Sequence, residues 1–308
     1  MNIHGVIPPL LTPLTARDEL DVAGLERLLE HVVAGGVHGI FVLGTTGEGP
    51  SLSYKVRRDL ISNSARILNS RVPLYVGITD TSLVEALHLA DFSSEHGAKA
   101  VVAAAPFYFP AGQTELTHWY NQLLDDLPLP LILYNMPGCT KIEIAHETML
   151  SLMHHDKVVG MKDSSGDWDY LAKAIELAAK ELSDWPVLVG PEHLLADTVR
   201  AGGAGGVAGG ANLAPRLYVD LYEAAKSGDE VEVQRLQAIV MQLQELYQYG
   251  KYGSSVVKGL KCVLEMRGIC SGLLAAPFDV FLEPERQKVI EWMQGFGETG
   301  YLPESSRR

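Results

Sequence analysis

The sequence predicts an α/β protein, a closed (β/α)8 barrel carrying a helical C-terminal extension. Short runs apolar enough to be buried on both faces alternate with longer amphipathic stretches, the pattern of parallel strands covered by helices. About eight such strand-then-helix units fit between residues 1 and 226, the number that closes a barrel. The rest of the chain, 227–308, shows helical periodicity with no Pro/Ser-rich linker before it, so it is expected to pack on the barrel as part of one structural unit. A doubly wound open sheet produces the same alternation and is the competing architecture.

The first strand is expected within 5–14 and is followed by a helix from Asp21, where Leu25, Leu28, Leu29, Val32 and Val33 share one face. Gly35-Gly36 reads as its C-cap. The run HGIFVLG is the second strand, with a helix near 53–69 behind it. PLYVGI with a helix near 82–96, AKAVVAAA with 114–125 and PLILYN with 145–153 continue the pattern. VVGMKD with 169–182, PVLVG with 193–201 and GGVAG with 215–226 complete it. Helices are expected at 230–249, 254–267 and 283–293, and the polar tail 304–308 is expected to fray.

Composition narrows the function. With 47% hydrophobic and 20% charged residues the chain can bury a large core, which excludes disorder. Its 25 basic and 38 acidic residues give a net charge of −13, the wrong sign for nucleic acid or an anionic membrane surface. A single local cation still admits an anionic small molecule. Three cysteines, Cys139, Cys262 and Cys270, make neither a disulfide framework nor a zinc site and suit a reducing compartment. The N-terminal MNIHGVIPPLLTPL lacks the basic start of a signal peptide and has prolines in its apolar stretch. No run approaches the roughly 18 apolar residues of a membrane span. A cytoplasmic protein is expected. His146-Glu147 lacks the second histidine of a zinc-protease motif, and His154, His155 and Asp156 read as a solvated loop. The glycine run 202–210 matches neither GxGxxG nor a Walker A loop, and close backbone packing, or a ligand approaching the backbone, explains it better.

In such barrels chemistry sits at the C-terminal ends of the strands. Those exits carry Gly44-Thr45-Thr46-Gly47-Glu48-Gly49, Pro106-Phe107-Tyr108, Tyr134-Asn135-Met136-Pro137, Gly160-Met161-Lys162-Asp163-Ser164, Gly190 and 206–210. Lys162 is the most informative of them, because an ammonium at the inner end of a buried run is costly unless paired or neutralised. Desolvation favours the neutral amine of a lysine, the form that condenses with a carbonyl to give a Schiff base. The bland account is a lysine that snorkels outward or pairs with Asp163. Tyr134, on the neighbouring strand, can move protons at such a centre or merely pack under a loop. Thr45, Thr46 and the N–H groups around Gly47 can hold a carboxylate, or form an ordinary turn.

Taken together, Gly44-Thr45-Thr46-Gly47-Glu48, Tyr134-Asn135-Met136-Pro137 and Gly160-Met161-Lys162-Asp163 stand in the order and spacing of the dihydrodipicolinate synthase / N-acetylneuraminate lyase family, which the chain resembles over roughly residues 4 to 280. The resemblance implies a class I, metal-independent lyase on a TIM barrel, usually a homotetramer built as a dimer of dimers. It implies that Lys162 forms the imine with pyruvate or another 2-oxo acid and that Tyr134 relays protons. It further implies that Thr46 holds the carboxylate and that Thr45 joins a relay completed by Tyr108 of the adjacent subunit. The backbone near Ala208 would line the bound 2-oxo acid. The covalent lysine imine would be the only prosthetic chemistry, with no metal.

The substrate is where the sequence departs from the family's best-known pattern. Dihydrodipicolinate synthases continue the tyrosine motif to an arginine that binds the carboxylate of aspartate semialdehyde; here Cys139 stands in that place, and a thiol cannot act as a bidentate guanidinium. Ser164, Glu192 and His193 fall where the family's sugar-acid lyases place groups that bind a polyhydroxy tail. Their bland readings are a helix cap for Ser164 and first-turn helix residues for the other two. The expectation is therefore an aldolase acting on a hydroxylated 2-oxo acid of the 2-oxo-3-deoxy sugar acid type, releasing an aldehyde. The alternatives are dihydrodipicolinate synthase itself, a dehydratase using the same imine, and a barrel that binds a 2-oxo acid or a sugar phosphate without turnover.

Overall fold

In the computed structural model, which describes residues 2–304, eight parallel strands run in one sheet. They are β1 (Gly5–Val6), β2 (Ile40–Val42), β3 (Leu74–Gly77), β4 (Ala100–Ala104), β5 (Leu131–Asn135), β6 (Val158–Asp163), β7 (Val187–Val189) and β8 (Gly205–Gly206). From β2 onward each pairs with the next in sequence, β8 pairs with β1, and a parallel bridge from Pro9 to Phe41 joins the first segment to β2 and closes the ring. Closure excludes the doubly wound alternative and makes this a TIM barrel.

The outer layer holds α1 (Val22–Ala34), α2 (Tyr54–Leu68), α3 (Leu83–Glu95), α4 (Gln113–Asp126), α5 (His146–Met153), α6 (Trp168–Glu181), α7 (Leu195–Arg200) and α8 (Pro215–Ser227). Several start where a short polar side chain satisfies a free N–H. Asp21 accepts from Gly24, Ser53 from Val56, Ser82 from Glu85 and Asp167 from Tyr170. Three more helices follow: α9 (Glu230–Gln244), α10 (Ser255–Met266) and α11 (Glu283–Gly297).

The differences from expectation are local. The first strand is cut to Gly5–Val6 because Pro8 and Pro9 offer no N–H to a ladder, and Leu14–Ala16 instead pairs antiparallel with Glu19–Leu20. The helix expected at 193–201 begins as a 3-10 turn over Glu192–Leu194. That expected at 230–249 turns 3-10 after Gln244. Of the polar tail, 305–308 lies outside the described residues. The glycine run does serve close packing: Gly205, at φ +141°, pairs with Gly5 so tightly that a Cβ would overlap the Gly5 carbonyl.

Two apolar layers result. The larger lies between strands and helices. The smaller fills the barrel, with Ile7, Phe41, Tyr75, Val102, Ile132 and Leu188 pointing inward. Lys162 and Tyr134 cap this inner layer at the C-terminal end of the strands.

Candidate active site

Tyr134 and Lys162 are direct partners in the β5–β6 ladder, so their side chains leave the sheet on the same, inner face. The Lys162 ammonium nitrogen lies 3.9 Å from the centre of the Tyr134 ring and 5.4 Å from that of Phe41. Both residues are only 5% exposed, so Lys162 does not snorkel into water. Nor is Asp163 its counter-charge. The next pair in the ladder, Asn135 and Asp163, makes its own network, in which Asn135 donates to Asp163 at 2.8 Å and the Ser165 hydroxyl donates to the other carboxylate oxygen at 2.9 Å. Burial holds the Asp163 carboxyl above the usual range despite these donors. The network fixes the two strand ends on which Tyr134 and Lys162 sit.

Thr45, at the exit of β2, meets Tyr134 across the barrel mouth, with its hydroxyl 3.2 Å from the phenol oxygen. These residues border a cavity of about 390 Å³ that also takes in Thr46, Ser164, Glu192, His193, Gln244 and Tyr247. Glu192 is buried and heavily bonded. It accepts from the Gly210 N–H at 2.7 Å and from the hydroxyls of Tyr218 and Tyr247. Burial raises its carboxyl above the ordinary carboxylate range. Glu192 therefore ties the β7 exit to the glycine turn after β8 and to the C-terminal helices. His193 is exposed, and Ser164 is half-buried beside Lys162. The cap of α6 is Asp167, so the helix-cap reading of Ser164 does not apply.

The remaining expected residues lie elsewhere. Cys139 lines a second cavity of about 250 Å³, which Tyr134 also borders, with Thr45, Glu48, Phe107 and Phe278. Its thiol is pushed up by burial, against which Lys141 and Lys162 pull it down. Gly47 is buried, its carbonyl accepting from the Thr12 hydroxyl at 2.6 Å. Ala208 is buried between Val207 and Gly209, which border the larger cavity on either side of it. Tyr108 borders neither cavity; it is 86% exposed at φ +90° and stacks edge-on against Phe109. The sequence pattern points to nothing beyond residue 210 at the site, yet Gln244, Tyr247, Val256 and Phe278 line the two cavities. Gln244, Tyr247 and Val256 sit in helical stretches that look like any other amphipathic segment, Phe278 sits in the loop between two helices, and only folding brings them to the barrel mouth.

Comparison with known proteins fits this geometry. The model of the dihydrodipicolinate synthetase family matches residues 2–294. The chain belongs to that family. Membership makes it a carbon–carbon lyase of the Schiff-base class, a class of enzymes that work without a metal. A dihydrodipicolinate synthase structure from Bacteroides thetaiotaomicron is 51% identical, with a TM-score of 0.92 over 96% of this chain and 100% of that one. A prophage family member from Escherichia coli K12, solved with pyruvate, is 25% identical, with a TM-score of 0.91 over 96% of this chain and 99% of its own. Among curated relatives of this lyase, a probable 2-dehydro-3-deoxy-D-pentonate aldolase of Escherichia coli K12 is 30% identical over 85% of this chain and 88% of its own. A DapA-like lyase of Halobacterium salinarum is 33% identical over 90% of this chain and 88% of its own. Among the described residues no helix is long and apolar enough to cross a membrane.

Proposed function

We propose that this lyase cleaves a hydroxylated 2-oxo acid through an imine on Lys162. The Lys162 amine adds to the C2 carbonyl, and loss of water gives the iminium. Tyr134, bonded to Thr45, carries the protons that this dehydration requires. Removal of the C4 hydroxyl proton breaks the C3–C4 bond, sends the electron pair to the iminium nitrogen and frees an aldehyde. The remaining enamine takes a proton at C3, and water releases the 2-oxo acid and the amine. Thr46 and the neighbouring backbone hold the 2-oxo acid carboxylate, with the turn around Gly47 and Ala208 shaping that end. No cofactor enters beyond the lysine imine.

The observation that carries this reading is the character of the cavity beyond Lys162. Ser164, His193 and Gln244 offer hydrogen-bonding groups to a polyhydroxy tail, and among the described lining residues Lys162 is the only lysine or arginine. Cys139 offers no anchor for a second carboxylate. The test compares kcat/KM for cleavage of 2-oxo-3-deoxy sugar acids with that for condensation of pyruvate and aspartate semialdehyde. Cleavage is expected to lead by about 10²-fold or more, the scale on which a site rejects a partner whose charge it leaves unpaired. Efficient condensation without cleavage of any sugar acid would instead establish dihydrodipicolinate synthase, the reading favoured by the 51% identity to the Bacteroides structure.

The working enzyme in this proposal is a cytoplasmic homotetramer, a dimer of dimers in which barrel (1–226) and C-terminal extension (227–308) act as one unit. Tyr108 and Phe109 support assembly, because two adjacent rings more than 80% exposed are an unusual cost for a lone chain in water. Tyr108 would then complete the Thr45–Tyr134 relay of a neighbouring subunit. Sedimentation is expected to give a tetramer, and dilution to monomer should lower specific activity. A fully active monomer would rule out a role for Tyr108 across subunits.

A further inference from the structure

Behind the turn that carries Thr45 lies a buried ion pair that the proposed chemistry does not use. Glu48 closes the Gly44–Gly49 turn in the left-handed region, at φ +60°, and its N–H donates to the Thr45 carbonyl at 3.0 Å. One carboxylate oxygen takes the Lys261 ammonium of α10 at 2.6 Å, and the other takes the Ala275 N–H at 2.7 Å. Lys261 also donates to the Leu273 carbonyl at 2.7 Å. The side chains are 0% and 1% exposed, so both charges are out of water. The Ala275 carbonyl in turn accepts from Phe278 at 3.0 Å, and Phe278 borders the cavity shared by Thr45 and Tyr134.

An ion pair with this burial contributes little net stability, because lost hydration offsets the attraction, and apolar residues of equal volume would serve stability as well. An apolar pair lacks direction. Here each partner has two fixed contacts on different segments, so the pair sets where the turn sits relative to 270–278 as well as holding it down. Thr45 is three residues from Glu48 and is itself exposed, and among the described residues its hydroxyl is placed by the bond to Tyr134. We propose that Glu48 and Lys261 are positioning residues that set the Thr45 hydroxyl against Tyr134, so that the C-terminal helices take part in the proton relay. The inference rests on the imine reading of Lys162.

The test uses Glu48→Gln, Lys261→Met and the paired variant Glu48→Gln/Lys261→Met, which removes both charges while keeping volume. Each is followed by borohydride trapping with pyruvate, kcat, KM, the solvent deuterium isotope effect and thermal melting. The expected result is retained trapping at Lys162, KM changed less than about threefold, and kcat lower by about 10- to 100-fold, the scale of an ångström-sized misplacement. The solvent isotope effect on kcat should rise because proton transfer has become slower. The paired variant should regain melting temperature without regaining kcat, which a merely structural role would not produce. A folded paired variant with kcat within about twofold of the parent overturns the proposal. So does failure of all three variants to fold, which would make the pair a folding element. Failure of the parent protein to trap any 2-oxo acid would sink the imine reading itself, and is distinguishable because it needs no variant.

Discussion

Lys162→Ala is expected to lose turnover and the pyruvate–borohydride adduct together. In the parent protein, reduction in the presence of pyruvate should add one fixed mass to the peptide that contains Lys162. In the variant that mass should be absent and kcat lower by about 10³-fold or more, because among the described residues lining the cavity no other carries an amine able to form the imine. Lys162→Arg should fail as completely, since a guanidinium stays charged and is no nucleophile. The geometry makes this a test of chemistry more than of folding. The amine tip lies over two aromatic rings at the edge of a cavity, and the Asp163 network beside it has its own partners. The variant should therefore melt close to the parent. An adduct on another lysine, or no adduct with any 2-oxo acid, would remove the mechanism proposed for Lys162.

How much of this could be read from the sequence depended on how local the signal was. The barrel was legible because each strand is a run buried on both faces and each helix a periodic face, both properties of neighbouring residues. Lys162 and Tyr134 stood out for the same reason, as polar residues at the ends of apolar runs. The shortened first strand could have been foreseen from Pro8 and Pro9, whose missing N–H groups outweigh the apolar character of the segment. The Glu192 cluster could not. Its partners Gly210, Tyr218 and Tyr247 lie 18, 26 and 55 residues away, and no pattern in the chain marks those tyrosines as belonging to a carboxylate. Lys261, 213 residues from Glu48, is likewise one basic residue on an amphipathic helix until the fold buries it. Long-range polar contacts of this kind have no period, so sequence reasoning finds the strand exits and misses what the C-terminal helices bring to them.

Tyr134→Phe isolates the remaining half of the proposed chemistry, because it removes one oxygen and leaves the packing. The ring is buried beneath the Lys162 ammonium, and phenylalanine fills the same space. The phenol's partner Thr45 is exposed and can turn to water, so melting temperature should hardly change. Turnover is expected to fall by about 10²-fold or more, the range for a positioned acid–base group. The imine should still form, more slowly, since the amine itself is untouched. Thr45→Val removes the other end of the same hydrogen bond. If the two hydroxyls act as one relay, Tyr134→Phe/Thr45→Val should lose scarcely more activity than Tyr134→Phe alone, since residues in one network are not additive. Full additivity would mean that the two act separately, and wild-type turnover in Tyr134→Phe would reduce the tyrosine to packing and leave the protons of the dehydration to another group.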